Sequence, residues 1–483
     1  GGIMNFISNR DNSITIDSKV VIFNCINDDI YVPLNLDNLY DIDVLRDMTY
    51  NELAIYILKH FLTDIDEDSI SSIVNNAYNG DEPNVFLRKT NDRCYVELFN
   101  NKSLSYRDLS LSIISKFIDI NLNNNEDVKN LYLFTASTDI SVSTIENFKK
   151  MNTKVFVFYP NNISYIEKSK LLSTLSDNVC AIGVDGDFYE CKKLVDSLIN
   201  DSDIKDLIAQ KESVISTCNS LNIIRVLTQV IYYFYSYVTM VKYGEIEAGK
   251  RINVSIPTEN FGNIMACFYA KRMGLPINKI ICATKSPLSF KKFLDTGEFV
   301  YDEVFGEEST SFERLVLANI ERLLHHLINN QDRIREIYTD FREKNKFTLY
   351  PEELQKLSCI ETYSMTSDEV SQKILRLFLE CQYPLSPQTA MASLAYDKYV
   401  IDSYDYTPSI IMATTSPYSS TENVLKSFGY NENLDINMAL EKLNSFIKSP
   451  IPDNLQNIKK INTTIFDSTE IKDIVYKKIQ EMN

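Results

Sequence analysis

The sequence predicts an α/β protein in which helices cover parallel sheets, and two observations support that class. From Leu131 onward, short apolar stretches alternate with segments of helical periodicity, which is typical of repeated strand–helix units. The segment from Arg251 to Gly274 shows one unit clearly, because alternating apolar residues lead through a short loop into a helical spacing. A length of 483 residues allows two or three domains.

The individual elements follow from the same periodicities. Runs of apolar residues predict strands at Leu131–Thr135, Val155–Tyr159, Cys180–Val184, Ile252–Ile256, Ile280–Cys282 and Ile410–Met412. Helical spacing predicts helices at Tyr50–Leu62, Thr144–Met151, Tyr165–Leu175, Phe188–Ile199, Asn219–Lys242 and from Ser311 onward. Strands that alternate with helices in this way form parallel sheets.

Composition excludes several classes of protein. The chain carries 49 Lys and Arg against 66 Asp and Glu, a net charge of −17, whereas nucleic-acid and anionic-membrane binders usually present a basic surface. No apolar run approaches the roughly 20 residues that span a bilayer. The nine cysteines form no CxxC pair, which favours reduced thiols in a cytoplasmic protein over disulfides or a metal site.

The loop between the strand at 252–256 and the helix that follows it is a candidate anion site. Backbone N–H groups at the start of a helix point outward at the positive end of the helix dipole, and this geometry binds phosphate. The loop contains a single glycine, Gly262, which is a weak signal on its own. An ordinary strand–helix connection is the alternative interpretation of the same residues.

Several motifs resemble those of threonine synthases, the PLP-dependent lyases of threonine biosynthesis that belong to PLP fold type II. SIPTENFGN at 255–263 is similar to their phosphate loop, S-x-P-T-G-N-F-G-N/D. FISNR at 6–10 and NDDIYVP at 27–33 resemble the family's Y-x-S-T-R and D-G-G-L-Y-V-P. The helix sequence at 220–235 also resembles the family, so the likeness covers almost the whole chain.

The resemblance implies the three-part organisation of that family. It predicts a threonine-synthase-type N-terminal domain at 4–93, and a large PLP-fold domain formed by 94–130 together with 212–483. It predicts a small α/β domain at 131–211, between the two segments of the large one.

The resemblance also identifies the position of the lysine that holds PLP as a Schiff base, and here that position is Arg107. ELFNNKSLSYRD at 97–108 is similar to the family's E-L-F-H-G-P-T-x-A-F-K-D, with Arg107 in place of the lysine. A Schiff base needs an amine that can lose its proton, and a guanidinium in a protein does not. We therefore expect no catalytic residue of the family's kind at Arg107.

Two ligand-binding loops depart from the family pattern as well. ASTDISVS at 136–143 stands for T-S-G-D-T-G-S-A, so that Ser137 and Asp139 remain while both glycines are replaced. Without those glycines the backbone can no longer approach a ligand as closely. Glu259 replaces the glycine of the phosphate loop, where its carboxylate would repel a phosphate.

Near the C-terminus, ATTSPYSS at 413–420 resembles S-T-A-H-P-A-K-F. Thr414 matches the hydroxyl that faces the pyridine nitrogen, whereas the family's histidine and lysine are Ser416 and Ser419. The resemblance implies that some residues are remnants of the family's binding sites. They are Thr258, Asn260, Phe261, Gly262, Asn263 and Thr414 for the cofactor, and Ser137 and Asp139 for the substrate.

The departures fall on residues that would touch cofactor or substrate, while the packing motifs are kept. This pattern predicts a threonine-synthase-like pseudoenzyme with no covalent PLP and no metal. Its expected role is to bind a small anionic ligand in the former cleft, or a protein partner, and not nucleic acid or membrane.

Two alternatives remain open from the sequence. One is an active PLP-dependent threonine synthase or related lyase that uses a different amine, such as Lys102. The other is an enzyme without PLP that uses a charged set of Arg107, Asp139, Glu259 and Lys285. A related hypothesis is that Arg107 and Glu259 form an ion pair in the space that PLP would fill.

Overall fold

The computed structural model describes most of the chain. The described residues are 5–18, 30–78, 84–91, 93–136, 139–149, 151–163, 168–169, 171–172, 176–217, 222–258, 261–284, 289–300, 311–456 and 464–482. Part of the helix predicted at Tyr165–Leu175 lies outside these ranges.

The strands are mostly short and apolar. In chain order they are β1 (Phe6–Ser8), β2 (Thr15–Ile16), β3 (Tyr31–Pro33), β4 (Phe86–Lys89), β5 (Cys94–Glu97), β6 (Leu131–Ala136), β7 (Thr153–Pro160), β8 (Val179–Val184), β9 (Val214–Ser216), β10 (Ile252–Pro257), β11 (Ile277–Thr284), β12 (Glu298–Val300), β13 (Lys346–Thr348), β14 (Ile360–Ser364), β15 (Ser409–Ala413) and β16 (Ile465–Phe466).

The α-helices connect and cover these strands. They are α1 (Ile42–Leu45), α2 (Tyr50–Phe61), α3 (Glu67–Ala77), α4 (Arg107–Asn123), α5 (Asp139–Phe148), α6 (Phe188–Asn200), α7 (Ser202–Gln210), α8 (Ile223–Lys242), α9 (Gly262–Arg272), α10 (Ser289–Thr296), α11 (Ser311–Ile328), α12 (Gln331–Lys344), α13 (Pro351–Gln355), α14 (Ser367–Cys381), α15 (Pro387–Ser403), α16 (Thr421–Ser427), α17 (Ile436–Ile447) and α18 (Ser468–Glu481).

The larger sheet has six strands in the order β14-β11-β10-β15-β5-β4. All its pairings are parallel except that of β4, an edge strand that runs antiparallel to β5. Every residue of β10 is buried, as expected of a central strand covered on both faces. The carboxyl ends of β5, β10, β11 and β15 therefore meet at one edge, which is where open α/β sheets bind ligands.

The smaller sheet is parallel throughout, in the order β16-β8-β7-β6-β9. The predicted range 131–211 stays a prediction, but the pairing shows that two strands of this sheet, β9 and β16, come from the predicted large-domain segments. Helix α18 contributes Ile471, Val475 and Ile479 to the apolar core of this sheet. The end of the described chain thus packs on the smaller unit.

The N-terminal part forms a separate three-stranded antiparallel sheet in the order β2-β1-β3, with α2 and α3 beside it. Thr49 caps α2 by accepting a hydrogen bond from the backbone N–H of Glu52. The two parallel sheets and this N-terminal unit together confirm the fold class that the sequence predicts.

Two predicted helices begin at a different residue in the structure. The helix predicted from Thr144 begins at Asp139, so part of the segment interpreted as a substrate loop is helical. An acidic residue at the first position favours this earlier start, because it lies at the positive end of the helix dipole. The helix predicted from Asn219 begins at Ile223, because the Asn222 side chain accepts a hydrogen bond from the Ile224 N–H and caps it.

Candidate functional site

A row of backbone hydrogen bonds joins the segment after β5 to the segment after β15. The N–H of Leu98 donates to the carbonyl of Ala413 at 3.0 Å, and the N–H of Tyr106 donates to the carbonyl of Thr414 at 2.8 Å. The N–H of Ser416 donates back to Leu104 at 3.0 Å. We call this row the seam. It places the start of α4 beside Thr414, at the carboxyl edge of the larger sheet.

Arg107 is the first residue of α4, and its side chain is buried at this edge. Only 5% of the residue is exposed. Its Nη1 donates to the Ser105 hydroxyl at 3.4 Å, and its guanidinium carbon lies 4.9 Å from the centre of the Tyr106 ring. Because a guanidinium does not lose its proton in proteins, Arg107 brings a permanent positive charge to the edge.

Asp108 follows Arg107 and connects the two sheet-bearing units. Its Oδ1 accepts from the Ser103 hydroxyl at 2.5 Å and from the Asn147 amide, on α5, at 2.7 Å. Burial raises the pKa of Asp108, although the hydrogen bonds from Ser103 and Asn147 act in the opposite direction. Burial of the ionised Asp108 carboxylate therefore lowers the stability of the folded protein.

The start of α9 has the geometry of an anion site. Phe261, just before the helix, has φ +66°, a left-handed conformation that is rare for a bulky side chain. Its ring is buried and contacts the Phe290 ring edge to face, with the ring centres 5.8 Å apart. Gly262 and Asn263 then open the first turn, whose backbone N–H groups lie at the positive end of the dipole.

Asn263 is fixed by two tyrosines of α8. Its Oδ1 accepts from the Tyr232 hydroxyl at 2.5 Å and also from the Tyr233 hydroxyl. Burial raises the pKa of both phenols well above the usual range, so both stay protonated and keep donating. The Asn263 Nδ2 is buried without a hydrogen-bond partner among the described residues.

Two threonines lie at the same edge, after adjacent strands of the sheet. Thr258 follows β10 and donates its backbone N–H to Ala283 at 2.7 Å. Thr414 follows β15, is 1% exposed, and has a hydroxyl without a hydrogen-bond partner in the described part of the chain. A buried hydroxyl of this kind is costly unless something bonds it, so Thr414 is a candidate ligand contact.

The segment after Thr414 has its own internal bonds. The Thr415 hydroxyl lies 2.9 Å from the Ser386 hydroxyl and donates to the Gln388 side-chain oxygen at 3.0 Å. The Ser419 hydroxyl donates to the Leu104 carbonyl at 3.3 Å. Ser419, the position that the resemblance assigns to a cationic phosphate contact, is thus a small hydroxyl that bonds to a residue of the seam.

Several predicted site residues fall outside the described residues. Ser137, Asn260, Glu259 and Lys285 are among them, and Asp139 is described only as the first residue of α5, without its side chain. The ion pair between Arg107 and Glu259 therefore stays a prediction. The seam brings the start of α4 next to Thr414, and Asn263 lies in the first turn of α9. The roles of these residues as ligand contacts stay predictions.

The hydrogen bond from Asn147 to Asp108 is not predictable from the sequence. No local signal marks Asn147, because its partner is 39 positions away in the chain. Tyr232 and Tyr233 of α8 are buried core residues whose hydroxyls also orient Asn263. That role had a signal, since a buried tyrosine usually finds a hydrogen-bond partner.

Among the residues that the structure describes, no group of three or more His, Cys, Asp or Glu side chains is arranged to hold a metal ion. Within the same part of the chain, no helix combines the length and apolar character needed to cross a bilayer.

Comparison with known proteins matches this chain to threonine synthases. Residues 5–78 match the family described as Threonine synthase N terminus. The chain is 30% identical over 336 residues to Threonine synthase-like 1 of Macaca fascicularis, covering 67% of this chain and 44% of that relative, so it spans less than half of that relative's length. It is 25% identical over 403 residues to the threonine synthase of Pseudomonas aeruginosa, covering 80% and 83%.

The solved structures agree. The PLP-bound threonine synthase from Brucella melitensis superposes with a TM-score of 0.82 and 23% identity, over 99% of both chains, which shows a shared fold. These comparisons confirm the resemblance and the fold class that the sequence predicts.

The described residues at this edge do not fit a PLP held through a lysine. The motif position of that lysine is Arg107, whose guanidinium cannot form a Schiff base. The nearest preceding lysine, Lys102, is exposed. The buried Thr414 hydroxyl could still form a hydrogen bond to a ligand at this edge.

The raised pKa of Asp108 gives a pH-dependent prediction. Asp108→Asn keeps an oxygen that accepts from Ser103 and Asn147 but removes the buried charge. Because the folded-state pKa lies above the unfolded one, the wild type loses stability as pH rises through the folded pKa. The variant should melt about 1–2 °C higher at pH 7.5, and this gain should vanish near pH 4.

Differential scanning calorimetry across that pH range measures the effect. The same change at the exposed Asp127 is the control and should leave the melting temperature unchanged at both pH values. A gain for Asp108→Asn that persists at the acidic end, or a loss at pH 7.5, would show that burial does not dominate at this carboxyl.

Proposed function

Because the chain is similar in sequence and fold to threonine synthases, we propose that it is a threonine-synthase-like pseudoenzyme that binds a small anionic ligand without covalent PLP. The observation that carries this proposal is the buried Arg107 at the motif position of the Schiff-base lysine. Its charge is permanent, so it can attract an anion but cannot form a Schiff base or take up a proton. Binding of a protein partner is the other role compatible with the absence of a lysine at position 107.

The electrostatics of the edge support an anionic ligand. Arg107 and the start of α9 both contribute positive potential there, one as a full charge and one as the partial charge of a helix dipole. The buried Thr414 hydroxyl adds a hydrogen-bonding group. Together these groups suit a ligand with a phosphate or carboxylate group. A Glu259 carboxylate that faced such a ligand would weaken its binding by charge repulsion.

The competing proposal is an active PLP enzyme that uses Lys102. That residue lies on an exposed part of the loop before α4, and its backbone carbonyl accepts a hydrogen bond from the Asn454 amide. To serve as the amine, its side chain would have to reach an edge that Arg107 already fills. The geometry therefore favours the pseudoenzyme.

The setting we propose is the cytoplasm. The seven cysteines among the described residues are all free thiols, which suits a reducing compartment. The net charge of −17 supports a role that involves neither nucleic acid nor an anionic membrane surface.

Binding of inorganic phosphate tests the anion site. Isothermal titration calorimetry should detect phosphate binding to the wild type and a loss of about tenfold or more in Arg107→Gln, because the variant lacks the buried charge. Arg107→Lys keeps the charge and should bind within about threefold of the wild type. Arg335→Gln, at a side chain that is 54% exposed, is the matched control and should bind normally.

The contrary result would be equal phosphate affinity in Arg107→Gln and the wild type. It would show that Arg107 does not face the anion, and it would remove the main support for this ligand class.

Restoring two family residues should not restore an enzyme. The double variant Arg107→Lys with Glu259→Gly supplies the amine and the glycine of the phosphate loop. It still lacks both glycines of the substrate loop, and it has Ser419 where the family has a lysine. With PLP added, neither this double variant nor the wild type should release phosphate from O-phosphohomoserine faster than buffer alone. Turnover by the double variant would show that the other departures are tolerated, and turnover by the wild type would refute the pseudoenzyme.

A further inference from the structure

A cavity of about 570 Å³ opens beside the carboxyl ends of β5 and β15. Its walls come from β4, the segment 97–104 and the residues at 382–384, 416–418 and 447–452. None of its lining residues belongs to the smaller sheet or to α9. It is therefore separate from the anion site described above, although both adjoin the segment that leads to Arg107.

One end of the cavity carries a pair of opposite charges. Arg88 on β4 and Glu97 on β5 lie on the same face of the sheet, because Phe86 is paired with Glu97 and Arg88 is two residues further along. Arg88 Nε and Glu97 Oε1 are 3.5 Å apart, which is longer than a well-formed charged hydrogen bond. Both side chains face the cavity.

The two charges differ in how firmly they are held. The Glu97 side chain is 11% exposed and is fixed by Tyr383, whose hydroxyl donates at 2.6 Å, and by the Asn100 amide at 3.3 Å. The Arg88 side chain is 55% exposed and can rotate away from Glu97. A carboxylate offers about four acceptor positions, so Glu97 can accept a further donor from a ligand.

Part of the remaining wall is apolar. Leu104, Tyr418 and Ile447 are buried there, and four prolines lie beside them: Pro384, Pro417, Pro450 and Pro452. A proline contributes no N–H donor, so these residues offer surface for an apolar group. The rest of the wall includes the polar side chains of Asn101, Gln382, Ser416 and Ser449. The cavity thus combines a charged end with an apolar wall, in the size range of small-molecule sites.

We propose that this cavity binds a free L-α-amino acid with an apolar or aromatic side chain. Its ammonium group would meet Glu97, its carboxylate would meet Arg88, and its side chain would lie against Leu104, Tyr418 and Ile447. Only a zwitterion satisfies both charges, because a simple anion would face Glu97 unpaired and a simple amine would face Arg88 unpaired. This site does not depend on whether the protein binds PLP, so the proposal goes beyond the function proposed above.

An amino acid here would touch the segment that positions Arg107. Leu104 lines the cavity, has φ +58°, and accepts hydrogen bonds at its carbonyl from Ser416 and Ser419. A ligand that packs on Leu104 therefore contacts a residue of the seam.

Calorimetric titration of the full chain with L-phenylalanine and L-leucine tests the ligand class. L-Phenylalaninamide lacks the carboxylate and N-acetyl-L-phenylalanine lacks the ammonium group, so each should bind at least about tenfold more weakly than L-phenylalanine. The proposal is overturned if neither amino acid binds at about 10 mM. It is equally overturned if either derivative binds as tightly as the parent amino acid.

Variants locate the site. Arg88→Gln and Glu97→Gln should each weaken L-phenylalanine binding by about tenfold or more, because each removes one charged partner. Glu97→Gln keeps an oxygen for the Tyr383 hydroxyl, which preserves the local fold. Arg376→Gln, at a side chain that is 57% exposed, is the matched control and should bind as the wild type does. Unchanged affinity in either cavity variant would overturn the proposal.

Discussion

The seam between the segment after β5 and the segment after β15 determines what the carboxyl edge can do. Because Tyr106 is bonded to Thr414 through the backbone, the next residue must begin α4 at this edge, whatever its side chain. The backbone pairing therefore places residue 107 at this edge, and the resemblance to threonine synthases implies that this position is that of the cofactor lysine. In this chain the residue is Arg107, whose guanidinium does not lose its proton, and the function proposed here rests on that difference.

The surrounding structure is consistent with that exchange. Helix α8 still orients Asn263 through tyrosine hydroxyls, and α9 still presents its N-terminus to the edge. The Ser419 hydroxyl bonds to the Leu104 carbonyl of the seam, and the Thr415 hydroxyl bonds to Ser386. Among the described residues, the edge holds the positive charge of Arg107 and the buried Thr414 hydroxyl. A shared scaffold does not by itself determine the reaction, so the function proposed here is argued from these residues and not from the fold.

The sequence predicts the central strands β7, β8 and β10 well. Each is a mostly apolar run, which is typical of a strand buried in a parallel sheet. The sequence does not predict β9 or β16, because strands of two or three residues exist only through pairing with distant partners. The same limit applies to the site. Thr414 and Asn263 follow from motifs, whereas the Asn147–Asp108 bond and the pair of Arg88 with Glu97 arise from three-dimensional packing of separate segments.

The most direct test of the central claim is to ask whether any lysine of this protein takes up PLP. The purified chain would be incubated with PLP, its absorbance spectrum recorded, and the sample reduced with borohydride for peptide mass mapping. The account predicts no Schiff-base band and no PLP adduct on a lysine of the cleft. A band together with an adduct on Lys102, or on another lysine at this edge, would contradict it and make the chain a PLP enzyme with a relocated amine.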